Sequence, residues 1–395
     1  MNTSKRRRYS NSDSAIAGLG MTKMGRIYGS SPIDFAVQAV AEAIDDCGID
    51  KSDIDGLLIS GGLCTYLKMT DAVSMHLQQA LGLNDLKLVS EMNSYGATAA
   101  SMLQYAAMTC STGQTEAVVC VFADAPLQEN PSAGYGTAIN VGTGIESLNG
   151  ASGILNAATV FALATRRHME KYGTTSEQLA HIAVDTRAWA AMNPNAQKRE
   201  PITTEDHQTS RLIADPLRLL DCCLVSNGGI AVIVTSANRA RDLKQPPVYI
   251  IGWGQGHPGN RHDRFIKTGA NMSGRLAMEM AGIDIHDIDI RQIYDCFTYT
   301  VLVTLEDYGY CKKGEGGEAF SGGRLGPNGD LPTNTGGGQL SGYYMWGMTP
   351  ISEAIIQTRG QAGKRQVKKH DLTLVSNNGG VLQHHASLIL SASNK

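Results

Sequence analysis

The chain has 395 residues, 44 of them glycine, with 18% charged residues and a formal net charge of −3. That length holds an extensive core in two or three domains, and a hydrophobic content of 42% speaks against disorder. The sparse and slightly acidic charge leaves no basic footprint for nucleic acid or for an anionic lipid surface.

In chain order, Lys5-Arg6-Arg7-Arg8 is followed by Tyr9, Ser10, Asn11, Ser12 and Asp13, so the run reads as a solvated tail and not as a secretory signal. No segment approaches about 18 consecutive apolar residues, so no membrane span is expected. Ile16-Ala17-Gly18-Leu19-Gly20 opens a first strand. Ser31 is a natural N-cap with Pro32 at the first helical position. Ile33, Val37, Val40 and Ile44 recur at helical spacing and predict one buried face, with Gly48 as the left-handed closing residue. Strands follow at 56–60 and 86–90, then a helix over 97–112 that is apolar nearly all round, then a strand at 117–122. A helix so apolar is covered on more than one side. Short apolar strands alternating with such helices predict a mainly parallel sheet, buried on both faces.

The whole pattern then repeats. Ile16–Gly20 corresponds to Ile250-Ile251-Gly252-Trp253-Gly254 at an offset of 234 residues, and Gly48-Ile49-Asp50-x-x-Asp53-Ile54-Asp55 corresponds to Gly282-Ile283-Asp284-x-x-Asp287-Ile288-Asp289 in the same register. The halves also close alike, with Ser226-Asn227-Gly228-Gly229 and Asn377-Asn378-Gly379-Gly380 near their last strands. Residues from about 125 to 216 have no counterpart and read as an insertion, with an amphipathic helix at 176–189. Residues 314–338 hold ten glycines in 25 positions. They read as an ordered irregular loop near a site in preference to a linker, because Tyr343 and Tyr344 follow.

The common chemical signatures fail. Gly252-Trp253-Gly254 follows a strand, but the third fingerprint position is His257, and neither a P-loop nor a GxSxG elbow occurs. Eight cysteines include no CxxC pair, and Cys222 and Cys223 are adjacent. That suits neither a disulfide framework nor a zinc site and points to a reducing, cytoplasmic compartment; no metal and no cofactor are expected. His384 and His385 are neighbours on a strand, so their side chains should point to opposite faces.

The doubled α/β organisation, with Tyr294-Asp295-Cys296-Phe297 and Asn334-Thr335-Gly336-Gly337-Gly338, resembles the thiolase superfamily, in its sterol-carrier or lipid-transfer branch. His168-Met169-Glu170-Lys171-Tyr172-Gly173-Thr174-Thr175, Arg187-x-x-Ala190-x-x-Asn193-Pro194 and Gly379-Gly380-x-x-x-His384-His385-Ala386 extend the likeness over nearly the whole chain. The resemblance implies an α/β thiolase fold: two βαβαβαββ halves related by a pseudo-twofold axis, 1–240 and 247–395, in a five-layer αβαβα arrangement with an inserted loop domain.

All four catalytic slots implied by the resemblance are altered. The nucleophilic cysteine of thiolases falls at or beside Gly96, where Asn93-Ser94-Tyr95-Gly96-Ala97-Thr98 contains no thiol. Cys110 lies about four helical turns further on and reads as a core residue. The histidine ten residues beyond the Asn of the glycine motif becomes Tyr344, and the His of His-Asp-Cys-Phe, or the Asn of Asn-Glu-Ala-Phe in other members, becomes Tyr294. The basic cysteine before the last glycine pair aligns with Ser376 or Asn377. Tyr343, Tyr299 and Tyr95 read as packing residues, although Tyr95 and Gly96 border the nucleophile slot.

Without a thiolate no acyl-enzyme forms. A retro-aldol needs only a base for a β-hydroxyl proton and an acid for the CoA enolate, and two phenols supply both. One phenol must then be eased towards ionisation, by the helix start at Gly96 or by backbone N–H groups near Gly379 and Gly380, whereas Asp295 would oppose it if turned towards the ring. The pattern resembles the thiolase-like aldolases that shorten steroid side chains. By that resemblance Tyr294 and Tyr344 are the proton-transfer pair, with Asp295, Gly96, Tyr95, Asn377, Gly379, Gly380 and His385 as candidate site-lining residues. The implied substrate is a β-hydroxyacyl-CoA on a ring system, cleaved to a ketone or aldehyde and a short acyl-CoA such as propionyl-CoA. The implied assembly is a homodimer flanked by two small OB-fold and zinc-ribbon proteins, a heterotetramer. A β-ketoacyl-CoA thiolase or acyltransferase, and a non-catalytic lipid-binding subunit, are the alternatives.

Overall fold

A computed structural model of the chain describes residues 13–61, 73–129, 150–154, 156–259, 263 and 265–394. The basic run at Lys5–Arg8 and part of the insertion lie outside them. The first half runs β1 (Ser14–Met21), α1 (Pro32–Cys47), β2 (Gly56–Ser60), α2 (Val73–Leu81), β3 (Leu88–Met92), α3 (Thr98–Ser111), β4 (Ala117–Asp124). The inserted region follows with α4 (Ala157–Tyr172), α5 (Ser176–Ala191), α6 (Thr204–Thr209) and the small hairpin β5 (Leu212–Ala214) and β6 (Leu217–Arg218), before β7 (Gly228–Ser236) completes the half. The second half runs β8 (Val248–Gly256), α7 (Ala270–Ala281), β9 (Ile290–Ile293), α8 (Thr298–Tyr308), α9 (Met348–Thr358), β10 (Leu372–Gly379), β11 (His384–Ser391).

Strand order is β3-β2-β4-β7-β1-β8-β11-β10-β9. Reading outward from the central β1–β8 contact, the two halves present matching orders, with Thr333 bridging Arg291 where the second half's third strand would lie. Three hydrophobic clusters divide the layers. One lies between α1 and the first half's strands, one holds α3 and α9 between the two sets of strands, and one lies under α7 and α8. This is the αβαβα order that the sequence pattern implied.

The expectation of a mainly parallel sheet is corrected. Among the named strands of this sheet only β2–β3, β2–β4 and β9–β10 pair in parallel; β4–β7, β7–β1, β1–β8, β8–β11 and β11–β10 are antiparallel. Apolar runs report that both faces are covered, and one mixed sheet whose two halves enclose a helical layer satisfies that as well as a parallel one.

The repeat has a packing cause. Cβ atoms at Gly18 and Gly20 would run into the carbonyl oxygens of Ala43 and Ala39 on α1, and Gly252 and Gly254 are confined in the same way by Ala277 and Ser273 on α7. Each Gly-x-Gly lets a helix lie directly on a strand. It also moves the buried face of α1. Ala36, Ala39, Val40, Ala43 and Cys47 are buried, while Ile33, Val37 and Ile44 sit at its margin. The helix starts and stops as its caps dictate: Ser31 and Asp34 form a capping box, and Gly48 closes it at φ 70°. Gly282 closes α7 at φ 71°.

The described part of the insertion grips the glycine-rich loop. Arg187 Nε donates to Ser341 Oγ at 2.8 Å, Asn193 Nδ2 to the Gly336 carbonyl at 2.8 Å and Trp189 Nε1 to the Leu325 carbonyl at 2.9 Å. The loop is partly buried, and it ends in a tight turn over Gly338–Gly342 that delivers Tyr344.

Candidate active site

Tyr294 follows the last residue of β9, and its backbone N–H still donates to the Ser376 carbonyl on β10 at 2.8 Å. Tyr344 lies two residues past the turn, where its N–H donates to Ser226 Oγ at 2.9 Å. Fifty residues apart in the chain, the two phenol oxygens stand 3.0 Å apart, with the rings edge to face at 66°. Tyr294 is only 5% exposed. Around the pair lies an apolar shell that includes Phe161, Leu217, Phe297, Leu382, Phe265 and Trp346.

Gly96 explains how Tyr294 fits. A Cβ there would collide with Tyr294 Cζ, would lie 2.5 Å from Cε2, and would strike the Asn378 carbonyl. Any side chain at 96 would therefore occupy the space of the phenol ring. The residue before it, Tyr95, forms the elbow: φ is 52°, and the ring is 57% exposed, facing Trp346 at 6.4 Å. The packing reading of Tyr95 is thus corrected, because the left-handed backbone turns its side chain outward. Tyr343 and Tyr299 are buried as expected, bonded to Ser352 Oγ and to the Phe265 carbonyl.

Trp346, at φ 45°, makes a second elbow before α9, and Ser94–Gly96 and Met345–Gly347 form matching bridges. Asn377 Nδ2 donates to the Gly347 carbonyl at 3.2 Å, and Gly379 lies against Ser94 and Ala97 at the first elbow. Gly380 turns the chain at φ 60° towards β11. These residues are brought to the phenol pair as backbone scaffolding.

His385 is placed elsewhere. It is buried with Nε2 2.8 Å from Ser376 Oγ and 3.2 Å from Tyr308 Oη, and burial lowers its pKa to about 3. His384 instead faces His257, at 3.0 Å between the Nδ1 atoms. Asp295 turns away from the phenols: Oδ1 accepts from Gln339 N–H at 2.8 Å and Oδ2 from Leu340 N–H at 3.3 Å.

Burial pushes the Tyr344 phenol well above its ordinary pKa, with Tyr294 and the thiols of Cys223 and Cys296 adding to it. Cys223 and Cys296 escaped the sequence reading. Burial raises both thiols, so neither is a ready thiolate. Ser226, which holds Tyr344, was legible only as part of the Ser-Asn-Gly-Gly signature that closes the first half.

The steroid side-chain-cleaving aldolase of Thermomonospora curvata is 38% identical to this chain, over 88% of it and 90% of the relative. The chain belongs to the thiolase superfamily, in its thiolase-like aldolase branch. A family model described as thiolase C-terminal domain-like matches residues 256–392. The 17-hydroxy-3-oxo-4-pregnene-20-carboxyl-CoA lyase of Mycobacterium tuberculosis is 35% identical over 88% of this chain and 91% of its own. The solved Ltp2-ChsH2(DUF35) aldolase superposes with a TM-score of 0.87 at 35% identity, covering 98% of this chain and 99% of that one. In this chain the ring of Tyr294 fills the space that a side chain at position 96 would need, and Gly96 makes room for it.

Proposed function

We propose that the protein is a retro-aldolase, a carbon–carbon lyase acting on a β-hydroxyacyl-CoA whose acyl part is a steroid side chain, and that Tyr294 and Tyr344 move the protons. The observation that carries this reading is the 3.0 Å contact between two phenol oxygens, one of them on a ring packed against Gly96, where the resemblance implies the thiolase nucleophile. Tyr344, held protonated by its surroundings, is the acid. Tyr294 is the base: its phenol end lies against Gly96, beside the start of α3.

The reaction then balances. Tyr294 takes the β-hydroxyl proton, the carbon–carbon bond breaks to leave a ketone or aldehyde, and its electron pair becomes the CoA enolate. Tyr344 protonates the enolate carbon, releasing a short acyl-CoA such as propionyl-CoA. The proton on Tyr294 passes back to Tyr344 across their hydrogen bond, so the pair ends as it began. CoA enters as part of the substrate, and no other cofactor is required.

The same reading extends to a cytoplasmic homodimer that works with a small OB-fold and zinc-ribbon protein. Supporting the homodimer, β3 is the outer strand of the sheet and leaves Val89 40% exposed, near the exposed Tyr95 on the following elbow. No helix of the described residues is long and apolar enough to cross a membrane.

The test measures release of short acyl-CoA from a β-hydroxyacyl-CoA without consumption of free CoA, with and without the small partner. Tyr294→Phe and Tyr344→Phe should each lower kcat by roughly 10² or more. Wild-type turnover in both variants would leave the protein a lipid-binding subunit or direct attention to another site.

A further inference from the structure

We infer that Asp295 is a positioning residue that sets the spacing of the two phenols by clasping the turn that carries one to the segment that carries the other. This rests on the reading of Tyr294 and Tyr344 as the reacting pair. Asp295 directly follows Tyr294, and its side chain accepts from the backbone N–H groups of Gln339 and Leu340. A Cβ at Gly338 would strike Asp295 Oδ2, so the turn closes on the carboxylate only because that residue is glycine. From this turn the chain runs directly to Tyr344. Gln339 continues the link, donating from Nε2 to the Trp346 carbonyl at 2.7 Å while its own carbonyl accepts from Leu224 N–H at 2.9 Å.

Asp295 is fully buried, and among the described residues no cation forms an ion pair with it. The groups around it are the thiols of Cys223 and Cys296, both protonated, and the side-chain amide of Asn334. Glu353 faces it across a small cavity and is itself paired with Arg365 at 3.0 Å. A carboxylate in such a place is retained at a cost in solvation, and what it obtains is two backbone donors on one turn. Burial raises its pKa to about 7, against the N–H groups that lower it. Burial outweighs the two N–H groups, so the closed turn favours the protonated acid relative to a turn opened to water, and the clasp should loosen as pH rises through about 7.

Two measurements test this. In the complete enzyme with its partner, Asp295→Asn keeps one acceptor and the shape but replaces the other acceptor with a donor. It should lower kcat roughly 10- to 100-fold at pH 8 with KM little changed, as expected when reacting groups are slightly misplaced. The limb that titration of Asp295 puts into the wild-type kcat profile near pH 7 should be absent from the variant's. Without any substitution, backbone amide exchange in the peptide spanning 338–344, corrected for intrinsic rates, should be slower at pH 6 than at pH 8. The inference is overturned if Asp295→Asn keeps wild-type kcat, if it retains the limb near pH 7, or if exchange in that peptide is the same on both sides of pH 7. Failure of the tyrosine reading itself would show differently, as full turnover in Tyr294→Phe and Tyr344→Phe, and the exchange measurement does not depend on it.

Discussion

Gly96 and Tyr294 form one feature split across two halves of the chain. A side chain at 96 could not coexist with this phenol, because it and the ring at 294 compete for one volume. Restoring sulfur should therefore not restore thiolase chemistry. Gly96→Cys is expected to displace the Tyr294 ring and to lower aldolase kcat by roughly 10², and mass spectrometry after incubation with acyl-CoA should find no thioester on the protein. A stable acyl adduct at Cys in that variant would contradict the account. Both tyrosines were singled out in the sequence through the resemblance to thiolase-like aldolases. Their 3.0 Å contact was not legible there, since it depends on a strand end and a turn meeting through the fold. The direction of Asp295 was likewise invisible, because a residue next to Tyr294 on extended chain has two sides to choose from, and Gly338 on a distant loop decides.

At the scale of elements, the repeated Gly-x-Gly decides how closely helix and strand approach. Gly20→Ala would place a Cβ against the Ala39 carbonyl on α1, a backbone atom that cannot rotate away. The expected loss is about 1–3 kcal/mol of stability, read as a lower denaturant midpoint with little change in the slope of the transition. Helical spacing in α1 pointed to Ile33, Val37 and Ile44, yet alanines fill the closest contact, because a strand of glycines leaves room only for small partners. Caps and closing glycines were correctly legible, as they satisfy backbone groups within a few residues. Strand direction was not, because burial on two faces is compatible with parallel and mixed sheets alike.

For the whole molecule, the exposed outer strand β3 bears on assembly. Val89→Lys puts a charge on that edge and should convert a dimer to monomer in sedimentation or light scattering, with the α-helical spectrum unchanged. A variant that remains dimeric would move the contact between copies away from β3. The described insertion helices, expected as an inserted loop domain, serve in this structure to hold the glycine-rich loop that delivers Tyr344.

The chain's own order of residues determined the doubled α/β plan, the helix ends, the loss of the thiol and the two phenols in its place. These are carried by local hydrogen bonding, by side-chain periodicity and by spacing within short motifs, all of which act over a few residues. Only the tertiary structure decided that the phenols touch, that Gly96 lies beneath one of them, that Asp295 faces the turn and that His385 sits with Ser376 and Tyr308. Each of those joins residues from different elements, and contacts of that kind are settled by which surfaces the packed layers bring together.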